Sequence, residues 1–268
     1  MREAVRAARQ ACRELLTLRF GMFFSRFRAS PSRTIAARIP QGMRVYAIGD
    51  VHGRHDLLQP LLAKIAIDGA GQNIQIVFLG DYVDRGSDSR AVLDTLIDGV
   101  ENRGWICLKG NHEAMLLGAI DDTYEWDVWL ANGGVETLFS YGVATRDFAG
   151  EAKREGLHDA VVDAIPLDHI AFLRRLGLNH QIGDYFFCHA GIRPGVALDR
   201  QSPDDMLWIR DVFLHSKADH GKRIVHGHTP TMEPEILPNR INIDTGAYLT
   251  NRLSCVVLEG DQVRVIHS

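Results

Sequence analysis

The sequence predicts an α/β protein: three parallel strands linked by helices, a helical insert, a second small sheet and a basic N-terminal appendage. Three observations predict it. Short β-rich runs each stop at a polar, glycine-containing turn. Helical spacing fills the gaps between the first three runs. The charge divides the chain near residue 40. A length of 268 residues suits one large domain with an appendage. Hydrophobic residues make up 46% and charged residues 24%, which excludes disorder, collagen and coiled coil as the main architecture. No run approaches the roughly 18–20 apolar residues of a membrane span. The N-terminus shows no secretory signal pattern, so the expected location is cytoplasmic.

Residues 1–40 carry nine Arg, no Lys and two Glu, net +7, whereas residues 41–268 carry net −11. Arg2, Arg6, Arg9 and Arg13 stack on one helical stripe. Val5, Ala8, Cys12 and Leu15 follow about a quarter-turn away, an amphipathic pattern. Phe20, Met22, Phe23, Phe24 and Phe27 follow among further arginines, and Ser30-Pro31-Ser32 ends the pattern. Three readings stay open for this extension: a peripheral helix on an anionic membrane, a targeting or partner segment, or a helix docked on the domain. The acidic body and the lack of any nucleic-acid module disfavour a nucleic-acid partner. Cys107, Cys188 and Cys255 sit in apolar runs and, with Cys12, read as reduced thiols of a cytosolic protein.

Residues 41–268 form the expected catalytic domain. Met43–Ile48 ends at Gly49-Asp50, Ile74–Leu79 at Gly80-Asp81, and Trp105–Leu108 at Lys109-Gly110-Asn111. Asp56–Ile67 and Ser89–Val100 have helical spacing. Asp50, Asp81 and Asn111 are 31 and 30 residues apart, the length of one βαβ unit. Three parallel strands then deliver polar side chains to one sheet edge, where open α/β sheets bind ligands. Residues 121–180 read as a helical cap, in which core packing is the expected role of Trp126 and Trp129 and a position facing the site is the alternative. Tyr185–Cys188 ends at His189-Ala190-Gly191, and Arg223–Val225 at His226-Gly227-His228. Arg240–Ile243, Leu253–Leu258 and Val263–Ile266 complete a second sheet, expected to be more antiparallel.

Asp50, His52, Asp81, Asn111, His189 and His228 offer oxygen or imidazole nitrogen and no thiolate. Such a set suits two divalent ions, Mn²⁺ first, with Fe or Zn²⁺ as alternatives. Asp81 is the natural bridge. One such motif alone is more often a turn or a hydrogen-bonded histidine; five in one chain, each after a β-like run, point to a metal site.

Gly49-Asp50-Val51-His52-Gly53, Gly80-Asp81-Tyr82-Val83-Asp84-Arg85-Gly86 and Gly110-Asn111-His112-Glu113 resemble the three signature motifs of the phosphoprotein phosphatase (PPP) family. His189-Ala190-Gly191 and His226-Gly227-His228-Thr229-Pro230 resemble the two later histidine motifs of its bacterial members. The resemblance covers about residues 43–250. It implies a metallophosphoesterase fold, with two central mixed β-sheets packed face to face and flanked by helices. It implies Asp50, His52 and Asp81 on one metal, and Asp81, Asn111, His189 and His228 on the other. It implies attack on phosphorus by a metal-activated hydroxide, with His112 as general acid oriented by Asp84. Arg85 matches the family's phosphate-binding arginine, and Asn111 also faces that phosphate. Arg210 resembles a second such arginine, and Lys109 stands where the family usually has Arg. Asp244 reads either as a partner of a ligand histidine or as an ordinary turn residue. No counterpart of the tyrosine-bearing C-terminal loop of the eukaryotic members is evident.

Asp84 and Glu113 follow the protein-phosphatase pattern, so the expected activity is hydrolysis of phosphate monoesters on serine/threonine-type phosphoproteins. The alternatives are a bis(5'-nucleosyl)-tetraphosphatase and a non-catalytic, membrane-associated binding protein on the same fold.

Overall fold

In the computed structural model, whose described residues are 36–121, 126–144 and 154–268, strand alternation sets the layers. Strand β1 (Arg44–Ile48) turns Val45 and Ala47 to one face and Tyr46 and Ile48 to the other, and all four are buried. It pairs in parallel with β2 (Ile74–Phe78), which pairs in parallel with β3 (Ile106–Cys107). Helices α1 (His55–Asp68) and α2 (Ser89–Arg103) make the expected crossovers. The Asp88 carboxylate accepts the Ala91 N–H at the start of α2, a side-chain N-cap.

The C-terminal strands β9 (Ser254–Glu259) and β10 (Gln262–His267) do not join the second sheet, as the sequence suggests. β9 returns antiparallel to β1 and β10 antiparallel to β9, so the first sheet runs β10-β9-β1-β2-β3. The second sheet contains β4 (Asn179–Ile182), β5 (Tyr185–Cys188), β6 (Arg223–His226), β7 (Glu235–Ile236) and β8 (Arg240–Asn242), in the order β4-β5-β6-β8-β7. Its centre, β5-β6-β8, is parallel, and only the edges β4 and β7 are antiparallel. The expectation of a more antiparallel sheet is therefore corrected: two mixed sheets share one architecture.

The sheets meet through Val45, Ala47, Val77 and Leu79 on one side and Tyr185, Phe187, Val225 and Ile241 on the other. The opposite face of the first sheet packs Tyr46, Ile48 and Phe78 under the helices. The outer face of the second packs Phe186, Cys188 and Ile224 against Met206 and Phe213. Central strands buried on both faces explain the continuous apolar runs in the sequence. Each fully buried large side chain contributes about 1.5–3 kcal/mol.

After α3 (Asn111–Asp121) the insert is helical where it is described: α4 (Trp126–Trp129), a turn kinked at Gly133 (Leu130–Gly134), α5 (Val135–Ser140), α6 (Arg154–Ala164) and α7 (Leu167–Arg175). The extension reading falls on residues 1–35, outside the described residues. Residues 36–40, assigned from sequence to that extension, pack on the body. Ile39 is buried and its N–H donates to the Gly260 carbonyl, while the Arg38 N–H donates to Asp184. Cys107, Cys188 and Cys255 are buried free thiols, and burial pushes each upward.

Candidate metal centre and acid pair

The loops that leave β1, β2, β5 and β6 converge on one buried cluster, together with the first turn of α3. Asp50, His52, Asp81, Asn111, His189 and His228 are each at most 5% exposed. Two groups of ligand atoms within 4.8 Å of one another emerge: His52, Asp81 and His112, and Asp81, His189 and His228. Asp81 belongs to both, the sharing that a bridging ligand requires.

The imidazoles are presented for ligation. His52 Nδ1 donates to the Val83 carbonyl at 2.9 Å, and His189 Nδ1 donates to the Leu79 carbonyl at 3.0 Å. Each contact leaves an Nε2 lone pair facing inward, the usual outer support of a metal-bound histidine. His189 Nε2 lies 2.8 Å from Asn111 Oδ1 and 3.3 Å from Asp81 Oδ1, and His228 Nδ1 lies 2.8 Å from the same Asn111 oxygen. Acceptor atoms crowd together here more closely than the available protons can satisfy. His228 Nε2 is buried without a hydrogen-bond partner among the described residues. Burial pushes His52 down to about 3 and His228 to about 2, so both are neutral imidazoles with lone pairs that could meet a cation. Burial alone would raise Asp81, but the surrounding histidines, His189 first, hold it below the usual carboxylate range. A neutral-imidazole and carboxylate set with convergent lone pairs fits a divalent cation.

Asp50 accepts the His228 N–H at 3.1 Å. Asp244 does not reach a ligand histidine. It hydrogen-bonds Asp50 and takes the Gly246 N–H at 2.8 Å. Burial pushes Asp244 up to about 6, and burial beside Asp244 and Asp81 pushes Asp50 up as well. Asp244 is thus a buried support of a ligand rather than an ordinary turn residue.

Beside the cluster, His112 Nδ1 donates to Asp84 Oδ2 at 2.7 Å, and its Nε2 lies 3.9 Å from Asp81 Oδ2. Burial opposes charge on His112, but Asp81 and Asp84 outweigh it and raise its pKa. Arg85 reaches within 3.1 Å of His52 Nε2 and stacks over Tyr248 at 4.6 Å. Arg210 is exposed, donates to Thr229 Oγ1 at 3.3 Å, and lowers the pKa of both His189 and His228 electrostatically. It therefore stands at the cluster rather than on a remote surface. Lys109 is half-buried, and burial lowers its ammonium pKa; its charged neighbours are Glu113 and Arg174.

Four contributors are not assigned these roles in the sequence reading. Trp129, expected to pack in the core, donates its indole N–H to Asp84 at 3.0 and 3.1 Å, whereas Trp126 packs edge-on against it. Thr137 donates to Asp84 Oδ1 at 2.7 Å. Tyr248 packs edge-on against His52, so a C-terminal tyrosine does reach the site. Glu113, read only as a pattern marker, accepts the N–H groups of Gly110, Asp81 and Tyr82 at 2.8, 2.9 and 2.7 Å. Its position one turn into α3 is a usable signal. Trp129, Thr137 and Tyr248 lie far from the motifs and have none.

Known proteins are similar to this chain. A serine/threonine-protein phosphatase 2 of Escherichia coli strain K12 is 28% identical over 221 residues, 78% of this chain and 90% of that protein. A bis(5'-nucleosyl)-tetraphosphatase of Oceanobacillus iheyensis is 28% identical over 235 residues, 79% of this chain and 87% of that protein. The structure of a cold-active protein-tyrosine phosphatase from a psychrophilic Shewanella aligns with a TM-score of 0.59 over 86% of this chain and 82% of that one; at 19% identity this is a likeness of fold. The family model described as calcineurin-like phosphoesterase matches residues 43–263, from the start of β1 into β10. Every residue of the cluster, and both sheets that carry it, lie inside that span, and the chain belongs to the calcineurin-like metallophosphoesterases.

Proposed function

We propose that the chain is a metal-dependent phosphoprotein phosphatase of the serine/threonine type. The buried His112–Asp84 pair beside the candidate metal cluster carries this reading. An alkoxide leaving group is a strong base and departs only with a proton. Cleavage inside the phosphate chain of a dinucleoside polyphosphate expels a nucleotide, whose phosphate oxygen leaves as a stabilised anion and needs a proton far less. A fully supported acid therefore favours alkyl phosphate monoesters.

Two divalent cations, Mn²⁺ in our reading, would be held by Asp50, His52 and Asp81 and by Asp81, Asn111, His189 and His228. When bound, they supply positive charge against the phosphate dianion and acidify water. Arg85 and Arg210 bind phosphate oxygens as forks of N–H donors. A water oxygen forms the new bond to phosphorus as the bond to the leaving oxygen breaks. The electron pair goes to that oxygen, and His112 Nε2 passes its proton there. Nδ1 stays bound to Asp84, which stabilises the imidazolium before transfer.

The second reading, a dinucleoside tetraphosphate hydrolase, is favoured by the Oceanobacillus iheyensis relative. Metal-stripped protein restored with Mn²⁺ and given phosphoserine and phosphothreonine peptides beside diadenosine tetraphosphate separates the two. Preference for the peptides is expected. Preference for the dinucleotide overturns the proposal. A non-catalytic scaffold is disfavoured because the sequence lacks none of the candidate ligands and neither member of the acid pair.

A further inference from the structure

We propose that Trp129 and Thr137, on the helical insert, are positioning residues of the acid pair, and that the kinked turn between them, at Gly133, locks the loop carrying Asp84 and Arg85. The inference rests on the phosphomonoesterase reading above. It makes the insert part of the catalytic apparatus rather than a cover beside it.

The Asp84 carboxylate is fully buried, and three side-chain donors from two regions meet on it. His112 Nδ1 takes Oδ2 at 2.7 Å. Thr137 Oγ1 takes Oδ1 at 2.7 Å. The Trp129 indole N–H is shared between the two oxygens. A shared donor on one edge and single donors on each oxygen define the carboxylate plane. Thr137 also accepts the Asp84 backbone N–H at 2.8 Å, so one hydroxyl grips both ends of the same residue. Trp129 and Thr137 are themselves fully buried and have no room to turn.

The chain reaches this geometry through a kink at Gly133, in the turn Leu130–Gly134 between them, where the backbone leaves the helical region. Gly133 has φ 106° and its carbonyl accepts the Arg85 N–H at 3.0 Å. A Cβ at Gly133 would fall 2.7 Å from Arg85 Cγ, so only glycine allows this approach. The turn and the two helices that flank it therefore hold two consecutive residues of this loop, Arg85 through Gly133 and Asp84 through Trp129 and Thr137. Both adopt left-handed backbone, Asp84 at φ 73° and Arg85 at φ 68°. Such conformations persist in non-glycine residues when surrounding contacts over-determine them.

The consequence is directional. With the carboxylate plane fixed, His112 has one orientation, in which Nε2 faces the candidate cluster and the leaving oxygen. Loosening the carboxylate leaves the ligands in place and misaims the proton donor. The defect should grow with the basicity of the leaving group.

The test uses Trp129→Phe and Thr137→Val in the full-length, Mn²⁺-restored protein, with Thr137→Ser as the conservative control. Turnover is measured on a phosphoserine peptide, whose alkoxide needs a proton, and on p-nitrophenyl phosphate, whose phenolate does not. The ratio of kcat on the peptide to kcat on the aryl ester should fall about 10- to 100-fold in the first two variants, with KM unchanged. Thr137→Ser should restore it. An unchanged ratio overturns the inference, even if both rates drop together. A second arm needs no metal and no turnover. In the ¹H–¹⁵N spectrum of metal-free protein, Asp84→Asn should move the Trp129 indole resonance and leave those of Trp105 and Trp208 in place. An unmoved Trp129 resonance overturns the contact. If the wild type hydrolyses neither ester, the phosphomonoesterase reading fails, while the spectrum still decides the contact.

Discussion

Glu113→Gln tests how the ligand loops are braced. Glu113 is fully buried, and its two oxygens divide the backbone N–H donors of two loops. Oε2 accepts from Gly110 and Asp81, while Oε1 accepts from Tyr82 and, at 3.4 Å, from Val83. Glutamine keeps one carbonyl and turns an NH₂ toward the other pair. The least costly rotamer keeps Gly110 and Asp81 and strands Tyr82 and Val83. One good and one long hydrogen bond are lost, and a buried orphan donor costs about 1–3 kcal/mol. Burial pushes the Glu113 carboxyl up to about 7, so a neutral amide recovers part of that loss. The expected net destabilisation is about 2 kcal/mol. Glu113→Ala strands every donor and adds a cavity, for about 4 kcal/mol or more. Urea unfolding of the metal-free proteins measures both, and Mn²⁺ titration should show weaker binding because the Asp81 backbone loses its anchor. Stability of Glu113→Gln within about 0.5 kcal/mol of wild type would refute the bracing, since that is the ordinary effect of a surface substitution.

Asp81→Asn should abolish Mn²⁺ binding at both sites, and His52→Ala at one, as read by calorimetric stoichiometry; two full equivalents retained by Asp81→Asn would contradict a shared ligand. Gly110→Ala puts a Cβ 2.2 Å from Asp81 Oδ1 and should weaken Mn²⁺ binding about 10-fold or more in an otherwise folded protein, checked by titration and circular dichroism. Asp68 holds the end of α1 to the first sheet through Tyr46 at 2.5 Å and through Arg44 and Arg264. Arg264 and then Tyr46 hold its carboxyl below the usual range, so its contribution is present above about pH 4 and is lost as pH falls through the folded value. Asp68→Asn should cost about 1 kcal/mol at pH 7 and little below about pH 3, by thermal melts across that range. Deletion of residues 1–35 should leave a folded domain, whereas deletion of residues 1–40 also removes Ile39 from the core and should lower stability by a further 2 kcal/mol or so in urea.

The parallel half of the first sheet is legible in the sequence because its central strand is buried on both faces, and Val45, Tyr46, Ala47 and Ile48 form a run without a charged or amide side chain to interrupt it. The edge strands are not. Asn179–Ile182 alternates exposed and half-buried residues, and Glu235–Ile236 is two residues long. Neither offers an apolar run. The return of β9 beside β1 is a long-range pairing that no local pattern encodes. The ligands are legible for a local reason: each follows a β-like run within a few residues. Asp244 follows such a run too, and its partner is another carboxylate across the sheet rather than a histidine. Trp129 illustrates the opposite limit. Its helical spacing suits a core position and it is fully buried, yet one nitrogen on its buried edge is what matters chemically.

Local rules fail where the chemistry is. His52, Asp81, Asp84, Arg85 and His228 have φ between 46° and 73°, and among the described residues the other non-glycine with positive φ is Asn251. A non-glycine residue pays roughly 1–2 kcal/mol for left-handed backbone. Five such residues at one strand edge, beside acceptors that face one another, make this the least stable part of the domain in isolation. What holds it is the surrounding frame: Glu113 on the backbone of Gly110, Asp81 and Tyr82, Thr137 on that of Asp84, and Gly133 on that of Arg85. Those donors and acceptors come from outside the β2 loop they restrain. The motifs therefore specify which groups are gathered at the candidate site, while α3 and the insert specify the conformation in which they are held. A fragment holding the two sheets and the motif loops without residues 126–140 would keep every proposed ligand and lose the geometry of the acid.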